Sequence, residues 1–278
     1  MRANRIERKL QELRARGEGA LLGFLMAGDP DLPRSVEYAR ALLRGGVDLL
    51  ELGVPFSDPI ADGPAIRGAG ARALQAGTTP ERVFELITVL RRDAGGGGIP
   101  LVLRTHYGPV LALGERNFCR RCAEAEVDGL IVPDLPVEEA GPLLEQAERY
   151  RLDVVFAATP ETDEERLRTL AARSRGFLRL LLPSGGAEGK GEERWGAFVR
   201  RVRARVPNEL PLLASEISQP AQMEAAVRAG ADGAEALRAF AERIAEGAPP
   251  EALRELAARL KAAARARGSA TPPRGPRP

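Results

Sequence analysis

The stretch GGVDLLELGVPFSDPIADGP, residues 45–64, decides the architecture. Two glycines end a helix and the apolar run VDLLELG follows as a strand. A loop stiffened by Pro55, Pro59 and Pro64 then carries Asp58 and Asp62. The same approach to a strand, a small or charged residue and then x-Asp, recurs as AEVDGL at Asp128 and AGADGA at Asp232. Apolar, β-branched or leucine-rich runs lie at 20–27, 47–53, 99–105, 127–134, 152–158, 176–182, 210–215 and, more weakly, 231–237. The first seven are each followed by helical periodicity, as in PRSVEYARALLRGG and PAQMEAAVRAG. The runs do not alternate apolar with polar residues, which predicts strands buried on both faces of a parallel sheet. Strand and helix alternating through about 250 residues is the pattern of an α/β fold, a (β/α)8 TIM barrel in one domain, residues 1–265. The competing architecture is a doubly wound open sheet, but no G-x-G-x-x-G turn follows the first strand. The Pro-, Arg- and Gly-rich end, 266–278, is expected to be a disordered tail, and GGGG at 95–98 a flexible connection.

The composition narrows the function. With 278 residues, 44% of them hydrophobic, the chain can bury a sizeable core. Its 41 basic and 39 acidic residues leave a net charge of +2, which argues against nucleic-acid or membrane-surface partners. No apolar run approaches the roughly 18 residues of a membrane span. The N-terminus, MRANRIERKLQELRARGEG, reads as a charged amphipathic helix without a signal-peptide core. Cys119 and Cys122 are the only cysteines, so a disulfide-stapled secreted fold is not expected and a cytoplasmic location is.

Glu51 stands between Leu50 and Leu52 at the end of the second strand, and Asp62 lies in the loop beyond it. In a barrel both fall on the C-terminal face, where active sites are built. The bland alternatives are a solvated strand-end charge for Glu51 and a helix cap for Asp62. A carboxylate flanked by leucines must be paired or hold its proton, which suits a general acid.

Four segments carry a resemblance: AGDPD (27–31), ELGVPFSDPIADGPAI (51–66), RALQAGTT (72–79) and DGLIVPDLP (128–136). They are similar to the signature segments of the tryptophan synthase α chain, in register from about residue 5 to residue 260. The resemblance implies a (β/α)8 barrel that cleaves indole-3-glycerol phosphate to indole and glyceraldehyde 3-phosphate. It implies Glu51 as general acid/base and Asp62 as acceptor of the indole N–H bond, with substrate contacts at Phe24 and Gly185. It implies no cofactor in this chain, PLP belonging to a β-chain partner in an α2β2 heterotetramer, and no metal. The loops FSDPIADGP and VPDLP are the segments that face the partner in this family.

The second half departs from the family pattern. G-V-T-G after strand six reads GGAE (185–188), which keeps Gly185 and adds Glu188. G-F-G-I-S after strand seven reads ASEIS (214–218), which replaces both glycines, one by Glu216. The G-S pair after strand eight is Leu237-Arg238, Arg179 stands in place of a tyrosine, and T-Y-Y-N-P reads THYGP (105–109). Lys190, Arg179 and Arg238 are the candidate replacements for lost phosphate contacts. Two alternative functions remain at this stage: a non-catalytic barrel kept for β-chain binding, and a retro-aldol lyase on a related indole substrate without phosphate.

His106, the one histidine, lies at the end of strand three and reads as a packed loop residue or a substrate contact. Cys119 and Cys122, at i and i+3 of a helical stretch, read as buried small residues rather than a redox pair. Trp195 and Phe198 read as one apolar helix face. The loop 183–194, with glycines 185, 186, 189 and 191, reads as a mobile lid.

Overall fold

The structure, a computed structural model, describes residues 4–93, 98–181 and 191–265, with only the backbone for 191–195. The expectations for GGG at 95–97, the loop with Gly185, Glu188 and Lys190, the Trp195 side chain and the tail 266–278 lie outside those residues.

Every strand is parallel to its neighbours. β1 (Ala20–Met26) lies between β2 (Leu49–Gly53) and β9 (Gly233–Ala236). From β2 the sheet runs on to β3 (Leu101–Arg104), β4 (Gly129–Ile131) and β5 (Asp153–Val154). From β9 it runs to β8 (Leu212–Ala214), β7 (Leu178–Leu180) and β6 (Ala157–Ala158). β5 and β6 are two ends of one extended stretch. Its Val155 N–H donates to Leu130 on one side, and its Phe156 carbonyl accepts from Arg179 on the other. That stretch therefore joins the two edges of the sheet, and the nine strands amount to a closed eight-stranded barrel. All eight apolar runs read from the sequence form strands, and helices alternate with them.

The helices start where the sequence supplies caps. Asp31, Thr79 and Asp163 each accept a bond from the N–H three residues on, satisfying donors that the first turn leaves free. Where β9 meets β1, a Cβ on Gly233 would stand 2.2 Å from the Ala20 carbonyl oxygen, so only glycine lets the two strands pair.

The floor of the barrel is apolar. Leu22, Leu49, Val102, Ile131, Val155, Phe177 and Leu213 point inward, and Ile6, Leu10 and Leu13 of the N-terminal helix Arg5–Ala15 plug them from below. Each plugging side chain contributes about 1.5–3 kcal/mol by leaving water. A second cluster fills the space between strands and outer helices. Three carboxylates brace the lower rim. Asp48 accepts from Leu21 N–H, Asp128 from Leu101 N–H and Asp232 from Leu212 N–H, all at 2.9 Å. Each also meets a cation: Lys261 at 2.8 Å, Arg91 at 2.8 Å and Arg203 at 2.5 Å. This is what the repeated x-Asp does.

The inward layer above the floor departs from expectation. Side chains alternate along each strand, so the residue two beyond each floor position also points inward. Those residues include Glu51, Arg104, Arg179 and Ser215, and Glu235, two beyond Gly233 of β9, joins them; all five are buried. The barrel interior is thus apolar below and charged above. An arginine or glutamate between apolar neighbours does not disturb the outer face, which is why these runs still read as strands.

Candidate active site

Glu51 is paired in register with Phe24 of β1 and Val102 of β3. It is completely buried, and neither carboxylate oxygen has a hydrogen-bond partner among the described residues. Burial lifts its carboxyl from 4.5 to about 7; Arg179 and Arg104 pull it down, and Glu235 and Asp62 push it up.

Asp62 does not cap the next helix. Gly63 holds that position before the helix Pro64–Gln75 without a side-chain bond, and the Asp62 carboxylate turns instead to Arg104 of β3. Arg104 donates to Asp62 Oδ1 from Nη2 at 2.7 Å and from Nε at 3.3 Å. Its Nη1 stands 3.5 Å from Glu51 Oε1. The strand carboxylate and the loop carboxylate are therefore gathered around one guanidinium. His106 Nε2 lies 3.7 Å from Asp62 Oδ2, and its ring stacks on Phe56 with centroids 5.3 Å apart. His106 is buried, with both nitrogens unpartnered among the described residues.

The surrounding loops are held by local bonds. Asp29 takes Arg72 of the helix Pro64–Gln75 through two bonds of 2.7 and 2.8 Å, which ties the loop after β1 to that helix. Gly28, at φ +83°, presses so closely on Thr78 that a Cβ would lie 1.9 Å from its hydroxyl. Asp134 of the VPDLP segment accepts from Tyr107 N–H, fixing the start of the helix Tyr107–Leu113.

Across the barrel, Arg179 of β7 forms a buried pair with Glu235 of β9. Its Nε donates to both carboxylate oxygens at 2.9 Å, and Nη2 donates to Ser215 Oγ at 3.3 Å. Ser215 in turn donates to Glu235. Burial alone would lower Arg179, but Glu235 and Glu51 outweigh it and raise it. The sequence reading offered Arg179 as a phosphate ligand; its guanidinium is engaged instead by Glu235, a residue that reading passed over. Glu216, raised by burial against the pull of Arg179, has φ +69°. It thus keeps the left-handed backbone that the glycine of the family pattern adopts easily.

A cavity of about 710 Å³ opens above this layer. Asp62, Arg104, Arg179, Glu216 and Arg238 line it, with Ile131, Phe156, Leu181 and Leu237 among its apolar wall. Phe24 is fully buried with Leu237 and Ile66, behind that wall rather than on it. Arg238 opens the helix Arg238–Ala245 with Leu237 at the cap position. Its nearest carboxylate contact, Glu242, is 4.0 Å away, against 2.7 Å for Arg104 and 2.9 Å for Arg179 and Arg166.

Arg104 and Glu235 were missed at the sequence level. Each breaks an apolar run as Glu51 does, in PLVLRT and ADGAEAL, and the same question could have been put to them. Cys119 and Cys122 are buried as expected, and burial pushes Cys119 up to about 12 and Cys122 well above its usual range, so neither is a ready thiolate. Phe198 is in the core. Among the described residues no group of three or more His, Cys, Asp or Glu is arranged to hold a metal ion, and no helix is long and apolar enough to cross a membrane.

A closed parallel barrel with titratable carboxylates at the C-terminal ends of its strands, below an open cavity, has the build of a (β/α)8-barrel enzyme. A family model described as tryptophan synthase alpha chain matches residues 10–267. The chain is 42% identical to the tryptophan synthase alpha chain of Methanosarcina barkeri over 263 residues, 94% of this chain and 97% of that protein. It is 41% identical to that of Prochlorococcus marinus over 246 residues, 88% of each. The open form of tryptophan synthase from M. tuberculosis has a chain that superposes with a TM-score of 0.83 at 32% identity, covering 95% of this chain and 99% of that one. The chain belongs to the tryptophan synthase α chain family.

Proposed function

We propose that this chain is the lyase that cleaves indole-3-glycerol phosphate to indole and glyceraldehyde 3-phosphate, with Glu51 and Asp62 carrying the chemistry. The supporting observation is the convergence of those two carboxylates, from a strand and from a rigid loop, on one end of one barrel. A carboxyl lifted to about 7 can give and take protons near neutrality. Glu51 protonates indole C3, which leaves a positive charge on the ring. Asp62 accepts a hydrogen bond from the ring N–H and stabilises that charge. The bond between C3 and the glycerol carbon then breaks and its electrons return to the ring. The hydroxyl on that carbon gives up its proton to Glu51 as the aldehyde forms, restoring the starting protonation. No cofactor enters this scheme, and PLP is assigned to the partner.

At the phosphate end, Glu216 holds a left-handed turn, and Leu237 and Arg238 stand at the start of the helix Arg238–Ala245. Arg238, with the most distant carboxylate contact of the cavity arginines, is read as the side chain that meets the phosphate. The partner is read as a tryptophan synthase β chain in an α2β2 assembly in the cytoplasm. Ile60, 77% exposed in the FSDPIADGP loop, and Leu111, 54% exposed on the helix Tyr107–Leu113, give this face apolar contacts for docking.

The test is indole release by the purified chain, alone and with a β chain added. Turnover that rises with the β chain and vanishes in a folded Glu51→Gln variant supports the assignment. Substantial turnover by that variant removes Glu51 from the mechanism. Activation of the β-chain reaction without indole release by this chain removes the lyase reading and leaves a partner-binding barrel.

A further inference from the structure

Of the nine buried side-chain atoms without a hydrogen-bond partner among the described residues, five belong to Glu51, Arg104 and His106. Orphaned polar atoms are costly singly, so their concentration at one point marks a place built for something other than stability. Arg104 is central to the group. Two of its nitrogens hold Asp62, and the third, Nη1, has no hydrogen bond among the described residues and stands 3.5 Å from a Glu51 oxygen that has none there either. Arg104 lines the cavity while Glu51, completely buried beside it, does not. Because Arg104 occupies Oδ1 of Asp62, the bond to the ring N–H falls to Oδ2, on the side of His106.

We propose that Arg104 is a positioning residue for the cleavage: one guanidinium fixes Asp62 through Nε and Nη2, presents Nη1 to Glu51, and so sets the two carboxylates relative to each other while placing a positive charge beside Glu51. This rests on the assignment of Glu51 and Asp62 above. The charged groups acting on Glu51 come from four elements: Arg104 on β3, Arg179 on β7, Glu235 on β9 and Asp62 in the loop after β2. Arg104 is the one that bridges both carboxylates. Arg179 pulls on Glu51 more strongly still, but Glu235 and Ser215 hold it and it has no bond to Asp62, so it does not take over the bridge when Arg104 is lost.

The experiment compares Arg104→Leu, Arg104→Gln and Arg104→Lys with the wild type, in indole release across pH and in a titration of Glu51 by NMR of 13C-labelled glutamate carboxyls. In Arg104→Leu and Arg104→Gln, kcat falls at least about tenfold with a smaller change in KM. The Glu51 titration and its limb of the kcat/KM profile move to higher pH by roughly one to three units, the effect of losing an opposite charge at this range. Arg104→Lys returns the titration towards its wild-type position but not the full kcat, because an ammonium cannot serve two carboxylates as a fork does. A folded Arg104→Leu or Arg104→Gln variant with an unmoved Glu51 titration overturns the proposal, as does loss of kcat with an unchanged pH profile, which is the mark of a purely structural residue. If the wild type releases no indole, the lyase assignment fails instead. The carboxyl titration still decides whether Arg104 acts on Glu51.

Discussion

The buried pair across the barrel supports a stability prediction whose sign changes between single and double variants. In Glu235→Leu, Arg179 loses its three 2.9 Å contacts to a carboxylate and keeps a 3.3 Å bond to Ser215. A buried guanidinium stripped of its counter-charge costs about 3–5 kcal/mol, which for a chain of this size lowers Tm by roughly 6–20 °C. Arg179→Met strands Glu235 in the same way. Removing both charges in Arg179→Met/Glu235→Leu fills the same space with apolar groups, and such replacements are neutral or stabilising by up to about 4 kcal/mol. Ser215 then loses both partners, a loss of about 1 kcal/mol, so the double variant should melt close to the wild type. The assay is thermal and urea unfolding at pH 7.5, followed by far-UV circular dichroism, on all four members of the cycle. Each single variant should be far less stable than the double. A double variant as unstable as the sum of the singles refutes the reasoning, because the two charges would then be stabilising independently rather than answering one another.

The pH dependence of stability isolates Glu51. Its carboxyl is raised in the folded chain, so its contribution to stability is fully present below about 4.5 and is lost as pH rises through about 7. A rise from 4.5 to about 7 corresponds to about 3 kcal/mol. Glu51→Gln should therefore match the wild type in urea midpoint near pH 4.5 and exceed it near pH 8; equal midpoints at both would contradict the burial argument. At the opposite end of the barrel, Asp128→Ala leaves the Leu101 N–H unanswered and removes a close carboxylate partner from Arg91. It should cost about 3–5 kcal/mol in unfolding free energy while kcat per folded molecule stays unchanged, as steady-state indole release would report.

The barrel was legible in the sequence because its signals are local. Apolar runs, helical periodicity and the prolines and glycines between them each state a conformation within a few residues. Glu51 and Asp62 were legible for the same reason, as carboxylates in places where carboxylates are unusual. What could not be read was pairing across the barrel. Arg179 and Glu235 lie far apart in the chain, and nothing near either one names the other. Arg179 consequently stands among the three candidates for the phosphate in the sequence, whereas closure of the barrel matches it with Glu235. Glu216 shows the converse: the change from glycine suggested a rebuilt turn, yet the backbone holds φ at +69°.

The three rim carboxylates do not fall at random around the ring. Asp48 staples β2 to β1, Asp128 staples β4 to β3, and Asp232 staples β9 to β8. The remaining couple, the β5–β6 stretch with β7, has no such staple among the described residues; β7 is reached through Ser174, Arg175 and Gly176. At that seam β5 and β6 are two residues each, and Asp153, with one oxygen unpartnered among the described residues, is lifted by burial to about 6. The ring is therefore unequally braced, with three stapled couples and one without a staple among the described residues. Val155, Phe156 and Ala157 bring the seam to the cavity wall. Glu51 and Arg104 are thus carried by stapled strands, while part of the cavity wall is drawn from the couple without a staple.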